Sequence, residues 1–81
     1  LRLPRDLSGA ELASLLRRYG YEVTRQTGSH LRLTSRLNGR EHHISIPRHR
    51  TLKVGTLGGV LADVAGYLQI DRETLVQGLF G

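Results

Sequence analysis

At 81 residues, with an apolar share of 38% and no cysteine, the chain can build one modest core of Leu, Val and Ile but no disulfide frame or thiolate site. No apolar run approaches the roughly 18 residues of a membrane span and no signal-peptide pattern opens the chain, and the absence of cysteine suits the reducing cytoplasm that is expected. The net charge is +5 and is concentrated in the middle: Arg17, Arg18, Arg25, Arg32, Arg36, Arg40, Arg48, Arg50 and Lys53 meet only Glu22 and Glu41 there, which disfavours an acidic small molecule as partner and favours a polyanion. A solvated basic surface without a dedicated ligand is the competing reading of the charge. The chain opens at Leu1 without a methionine, and its natural start is expected upstream.

Ser8-Gly9-Ala10-Glu11 has the spacing of a capping box, with Ser8 as N-cap and Leu7 and Leu12 placed as the hydrophobic staple. Leu12, Leu15, Leu16 and Tyr19 recur at helical spacing, and Gly20 supplies a left-handed stop. Three strands are expected next. Tyr21 to Gln26 alternates, with Tyr21 and Val23 on one face. His30 to Leu37 puts Leu31, Leu33 and Leu37 on one side and His30, Arg32, Thr34 and Arg36 on the other. Asn38-Gly39 is a strong hairpin signal, and Arg40 to Pro47 is the returning strand. A two-residue turn there sets Leu37 opposite Arg40, Leu33 opposite Ile44, Leu31 opposite Ile46, Thr34 opposite His43 and Arg36 opposite Glu41. That register gathers apolar residues and joins opposite charges. For the earlier turn, placing Val23 across from Leu33 requires an odd loop such as Thr27-Gly28-Ser29, with Gln26 opposite His30, unless a bulge supplies the same shift.

Arg48 to Gly55 reads as a basic loop. Thr56 is expected to cap a second helix carrying Leu57, Val60, Leu61 and Val64 and ending near Gly66, and Asp71 a short third helix with Leu75, Val76, Leu79 and Phe80. Gly58 and Gly59 weaken the second helix by about 1 kcal/mol each relative to Ala. The order α-β-β-β-α with an extra C-terminal helix predicts an α+β fold in one domain over 1–81. Helices cover the apolar face of a three-stranded antiparallel sheet, and the other face stays open. That open face is expected to carry His30, Arg32, Thr34, Arg36, Glu22, Thr24, His43 and Ser45.

Among these, His30 is the residue suited to chemistry. A surface imidazole exchanges protons near neutral pH. RNA can be cut without a metal when a base removes the 2′-hydroxyl proton, an acid protonates the leaving oxygen, and a cation offsets charge building on the phosphate. Arg32 shares the face of His30, and Ser29 with the amides of the Gly28 turn can hold a phosphate. Pro47 falls opposite His30, so Arg48, His49 and Arg50 begin beside it, with Lys53 further along the same loop. A polar surface histidine with no role is the alternative. His42 and His43 are strand neighbours and point to opposite faces, so they cannot chelate together, and no metal or other cofactor is expected. His42 has core-facing parity; His43 lies several residues from His30 and suits RNA contact better than shared chemistry. Gly55-Thr56-Leu57-Gly58-Gly59 lacks the Lys-Ser/Thr ending of a Walker motif, which excludes that class of nucleotide hydrolysis.

Gly20-Tyr21 after the first helix, Gly28-Ser29-His30 opening the second strand, Ile46-Pro47-Arg48-His49 ending the third, and Gly55-Thr56-Leu57 opening a helix together resemble HicA toxins, the YcfA family, over about residues 7–66. The resemblance implies a double-stranded-RNA-binding-domain-like (dsRBD-like) fold and the toxin role in a type II toxin–antitoxin pair. It further implies an mRNA interferase activity independent of the ribosome, with the family's catalytic histidine falling on His30. A HicB-type antitoxin would cover the active site. The chain departs from the family pattern at Leu31, where many relatives carry a second histidine, at Gly58-Gly59, and in the longer tail through Tyr67-Leu68-Gln69-Ile70. Two other functions compete: a non-catalytic double-stranded-RNA-binding module using the same basic residues, and a protein-interaction subunit pairing through the open face or a sheet edge.

Overall fold

The structure, a computed structural model, describes residues 3–81. Leu1 and Arg2, the first residues of the domain expected over 1–81, lie outside the described residues. The elements run α1 (Gly9–Leu16), a 3-10 turn (Arg17–Tyr19), β1 (Glu22–Thr27), β2 (His30–Ser35), β3 (His42–Pro47), α2 (Val54–Leu68) and α3 (Arg72–Phe80). The strands form one antiparallel sheet in the order β1-β2-β3. This is the α+β, dsRBD-like α-β-β-β-α arrangement with an additional C-terminal helix.

Helix α1 starts as its sequence dictates. The Ser8 hydroxyl accepts from the Glu11 amide at 3.0 Å and the Glu11 carboxylate accepts from the Ser8 amide at 2.9 Å. These bonds satisfy two amides that a helix start otherwise leaves free, and they hold the Glu11 carboxyl below the usual carboxylate range. The contribution is present at neutral pH and fades as pH falls through that lowered value. Gly20 takes the left-handed conformation and ends the 3-10 turn.

The β2–β3 register is the expected one, with Leu31 on Ile46 and Leu33 on Ile44, all buried. Arg36 and Glu41 form an ion pair at 2.8 Å. Their leucine and isoleucine side chains pack with Leu12 and Leu16 of α1 and Leu57, Leu61 and Val64 of α2 in one core. Helix α3 adds Leu75, Val76 and Leu79, and Arg18 fastens it by donating to the Gly78 carbonyl at 2.7 Å.

Four local expectations are corrected. First, the β1–β2 turn is Gly28-Ser29, two residues rather than three, and a bulge between Val23 and Arg25 restores the parity. Val23 does pair with Leu33, yet Thr27, not Gln26, stands opposite His30. Second, Leu37 is 63% exposed and lies outside the core, because the strands separate after Ser35. Tyr67 captures the hairpin end: the Asn38 amide donates to its hydroxyl at 2.9 Å, and that hydroxyl donates to the Arg40 carbonyl. Third, α2 begins at Val54, with Lys53 in the capping position, and runs past Gly66 to Leu68, so Thr56 lies inside the first turn. Fourth, Asp71 holds the cap position of α3, but its side chain makes no capping bond.

Candidate functional site

Gly28 has φ +55°, a left-handed conformation that side chains rarely adopt, and so the chain reverses in two residues and sets His30 at the start of β2. His30 pairs with Thr27 on one side and Pro47 on the other. It is exposed while its neighbour Leu31 is buried, so alternation sends the imidazole to the face of the sheet that no helix covers. Arg32 follows on the same face.

The bulge adds a residue that strict alternation had turned inward. Arg25 stands directly across from Arg32, and both are exposed. Like charges in a cross-strand pair repel, and an anion lying between them removes that cost. No sequence signal announced Arg25, since the parity of β1 past Val23 is set by no apolar residue.

The basic loop is held beside His30 by its backbone. The Arg48 amide donates to the Ser29 carbonyl, the Gly9 amide to the His49 carbonyl at 3.0 Å, and the Leu52 amide to the Leu7 carbonyl at 2.8 Å. Leu52 is buried, whereas Arg48, His49, Arg50 and Lys53 are exposed. Fixed backbone and free cationic side chains are what a phosphate-binding loop needs. Gly9 makes this approach possible, because a methyl on it would overlap the Pro47 carbonyl. In the sequence Gly9 stands only inside the capping box, and its long-range contact with the loop leaves no local signal.

Ion pairs among the described residues join Arg36 to Glu41, His42 to Asp63 and His43 to Glu41, and none involves Arg25, Arg32, Arg48, Arg50 or Lys53. The cations around His30 are therefore free to meet a ligand. His42 and His43 face opposite ways. His42 is half-buried on the helix side, bonded to the Tyr21 hydroxyl at 2.6 Å and to Asp63 at 3.0 Å, and stacked on Tyr67 at 4.6 Å. Burial pushes the Tyr21 hydroxyl well above its ordinary pKa, so it keeps its proton and donates to His42 Nδ1. This cluster fastens β3 to α2. Among the described residues, no group of three or more His, Cys, Asp or Glu is placed to hold a metal ion.

A concavity of about 460 Å³ lies elsewhere, between α1 and the edge strand β1, against Ala13, Val23 and Leu31. His30 is exposed on the uncovered face of the sheet, a position that suits a polymer lying across it more than an enclosed small molecule. Among the described residues no helix is long and apolar enough to cross a membrane.

The family model for the HicA toxin of bacterial toxin-antitoxin matches residues 9–65. The chain belongs to the HicA toxin family. No curated protein and no solved structure matches it. The HicA match takes in α1, all three strands and most of α2, so His30, Arg32 and the Arg48–Lys53 loop fall inside it, while α3 lies beyond. As a HicA toxin, the chain is one half of a toxin–antitoxin pair.

Proposed function

We propose that this HicA toxin is a metal-independent endoribonuclease, an mRNA interferase acting on cytoplasmic RNA, with His30 as its proton-transfer group. The observation that carries the reading is the exposed His30 beside the unpaired Arg25–Arg32 cross-strand pair and the tethered basic loop. In the mechanism, a neutral imidazole of His30 takes the proton of a ribose 2′-hydroxyl. The freed 2′-oxygen bonds to the adjacent phosphorus, the bond to the 5′-oxygen breaks, and that oxygen takes a proton from water. Arg32 and Arg25 offset the charge that builds on the phosphoryl oxygens. Gly28, Ser29, Arg48, His49, Arg50 and Lys53 hold the flanking backbone. A HicB-type antitoxin seated on this face would shut the enzyme off.

The double-stranded-RNA-binding reading requires cations along helix one, which normally enters the minor groove. Here α1 carries no Lys or Arg within Gly9–Leu16, and Arg18 is spent on the Gly78 carbonyl. Arg17 follows α1 in the 3-10 turn, but most of the free cations lie on strands and loops, which favours a single strand laid on the sheet.

The test is incubation of the purified chain with one labelled RNA, with and without EDTA. Equal fragmentation in both arms is the expected result. Intact RNA after long incubation would leave the binding-module reading, and loss of cleavage in EDTA would bring a metal into the mechanism. Arg25→Gln is expected to keep or slightly raise the melting temperature while weakening RNA binding, with a salt slope smaller by about 0.7 for a single strand. Melting curves and a salt series of RNA affinities check both halves.

A further inference from the structure

Far from His30, the open face changes character. His43 pairs with Thr34 across β2–β3, and its Nδ1 is 2.8 Å from the Thr34 hydroxyl. Its Nε2 is 3.2 Å from Glu41 Oε1. Since a carboxylate only accepts, Nε2 donates to Glu41, while Nδ1 is bonded to the Thr34 hydroxyl, which in turn bonds Thr24 at 2.8 Å. Arg36 takes the other Glu41 oxygen through both Nε, at 2.9 Å, and Nη2, at 2.8 Å. The Arg36 guanidinium, with a smaller contribution from His43, holds the Glu41 carboxyl below its usual range, so the chain of bonds is complete at neutral pH.

Three consequences follow from this clamp. The imidazole is held from both sides, Nδ1 by Thr34 on the neighbouring strand and Nε2 by Glu41 just before β3. Its side chain is 39% exposed, and with the nitrogens spent, what it offers to solvent is ring carbon and π surface. The Arg36–Glu41 pair cancels its own charge, so this end of the face offers little to a phosphate, in contrast to the cations around His30. From His30 to the Thr34 rung is four residues of strand, about 13 Å. His43 therefore does not serve the phosphate beside His30.

Resting on the nuclease reading above, we propose that the fixed His43 ring is a base-stacking subsite for a nucleobase of single-stranded RNA that flanks the nucleotides being cut. A rigid aromatic ring loses little entropy on binding and accepts any base through its π face. The sheet thus divides its labour: the His30 end takes phosphate and the His43 end takes a base, which helps to set where along the strand the cut falls.

The experiment compares His43→Phe, His43→Gln and His43→Ala on a long single-stranded RNA and on a dinucleotide spanning one cleavable bond. Stacking predicts that Phe keeps the wild-type KM within about threefold. Gln and Ala should raise KM by about 5- to 150-fold with kcat unchanged, and all variants should match wild type on the dinucleotide, which cannot reach the subsite. A loss shared by Phe and Ala, a fall in kcat, an equal loss on the dinucleotide, or no change in any variant would each overturn it. If one variant melts early, the comparison of Phe with Gln, or of Phe with Ala, still separates ring from hydrogen-bonding edge. If the wild type cuts neither substrate, the nuclease reading fails on its own. The affinities of the same variants for fluorescent RNA then decide the subsite by the same order, Phe like wild type and Gln and Ala weaker.

Discussion

Replacing His30 with alanine is expected to lower the rate of RNA cleavage by about 10²–10⁴ while the melting temperature stays at the wild-type value. The size follows from what a positioned acid–base group contributes to a proton-coupled step. The unchanged stability follows from position, since the side chain points away from the core and has no hydrogen-bond partner among the described residues. Expression of the same variant in cells should no longer arrest growth. RNA affinity should persist, because Arg25, Arg32 and the 48–53 loop remain. An alanine variant that cleaves at the wild-type rate would remove His30 from the mechanism. One that unfolds would show that the ring supports the sheet instead.

Gly9→Ala carries the second large effect, and its sign is what makes it informative. Glycine to alanine inside a helix ordinarily stabilises by about 1 kcal/mol. At this position the added methyl meets the Pro47 carbonyl oxygen and crowds Arg48 Cα. Either the helix start or the loop must retreat, and the Gly9-to-His49 backbone bond is stretched in both cases. Overpacking of this kind costs about 1–3 kcal/mol, or roughly 5–20 °C in melting temperature for a chain of this size. Cleavage should fall further than stability alone explains, because the displaced segment carries Arg48 and His49 away from His30. Melting curves together with kcat, read on fully folded protein, separate the two contributions. A stabilised and fully active Gly9→Ala variant would mean that this contact does not position the site.

Features decided by near neighbours were legible in the amino-acid order. The capping box needs only Ser8 and Glu11, and the β2–β3 register needs only the alternation of Leu31 and Leu33 against Ile44 and Ile46 with the Arg36–Glu41 charge pair to agree. His30 could be assigned to the open face because buried leucines flank the alternation on its own strand. Strand β1 offered no such check. It is exposed along its whole length, so nothing apolar past Val23 reports its parity or decides between a three-residue loop and the bulge that brings Arg25 opposite Arg32. Leu37 and the hairpin end depart from the local pattern for a different reason. Tyr67, far along the chain, captures Asn38 and Arg40 and outweighs the local Asn-Gly turn signal. The start of α2 has no side-chain cap to mark it, and Gly9 meets Pro47 only in the folded chain.

The most direct measurement concerns the chemistry of the cut. The purified chain is incubated with an RNA whose cleaved nucleotide carries either a 2′-hydroxyl or a 2′-hydrogen, and the fragment ends are identified by mass. Attack by a 2′-oxygen freed by His30 predicts 2′,3′-cyclic phosphate and 5′-hydroxyl ends, and no cut at the deoxy position. Fragments ending in 3′-hydroxyl and 5′-phosphate, or undiminished cleavage at the deoxy position, would contradict it.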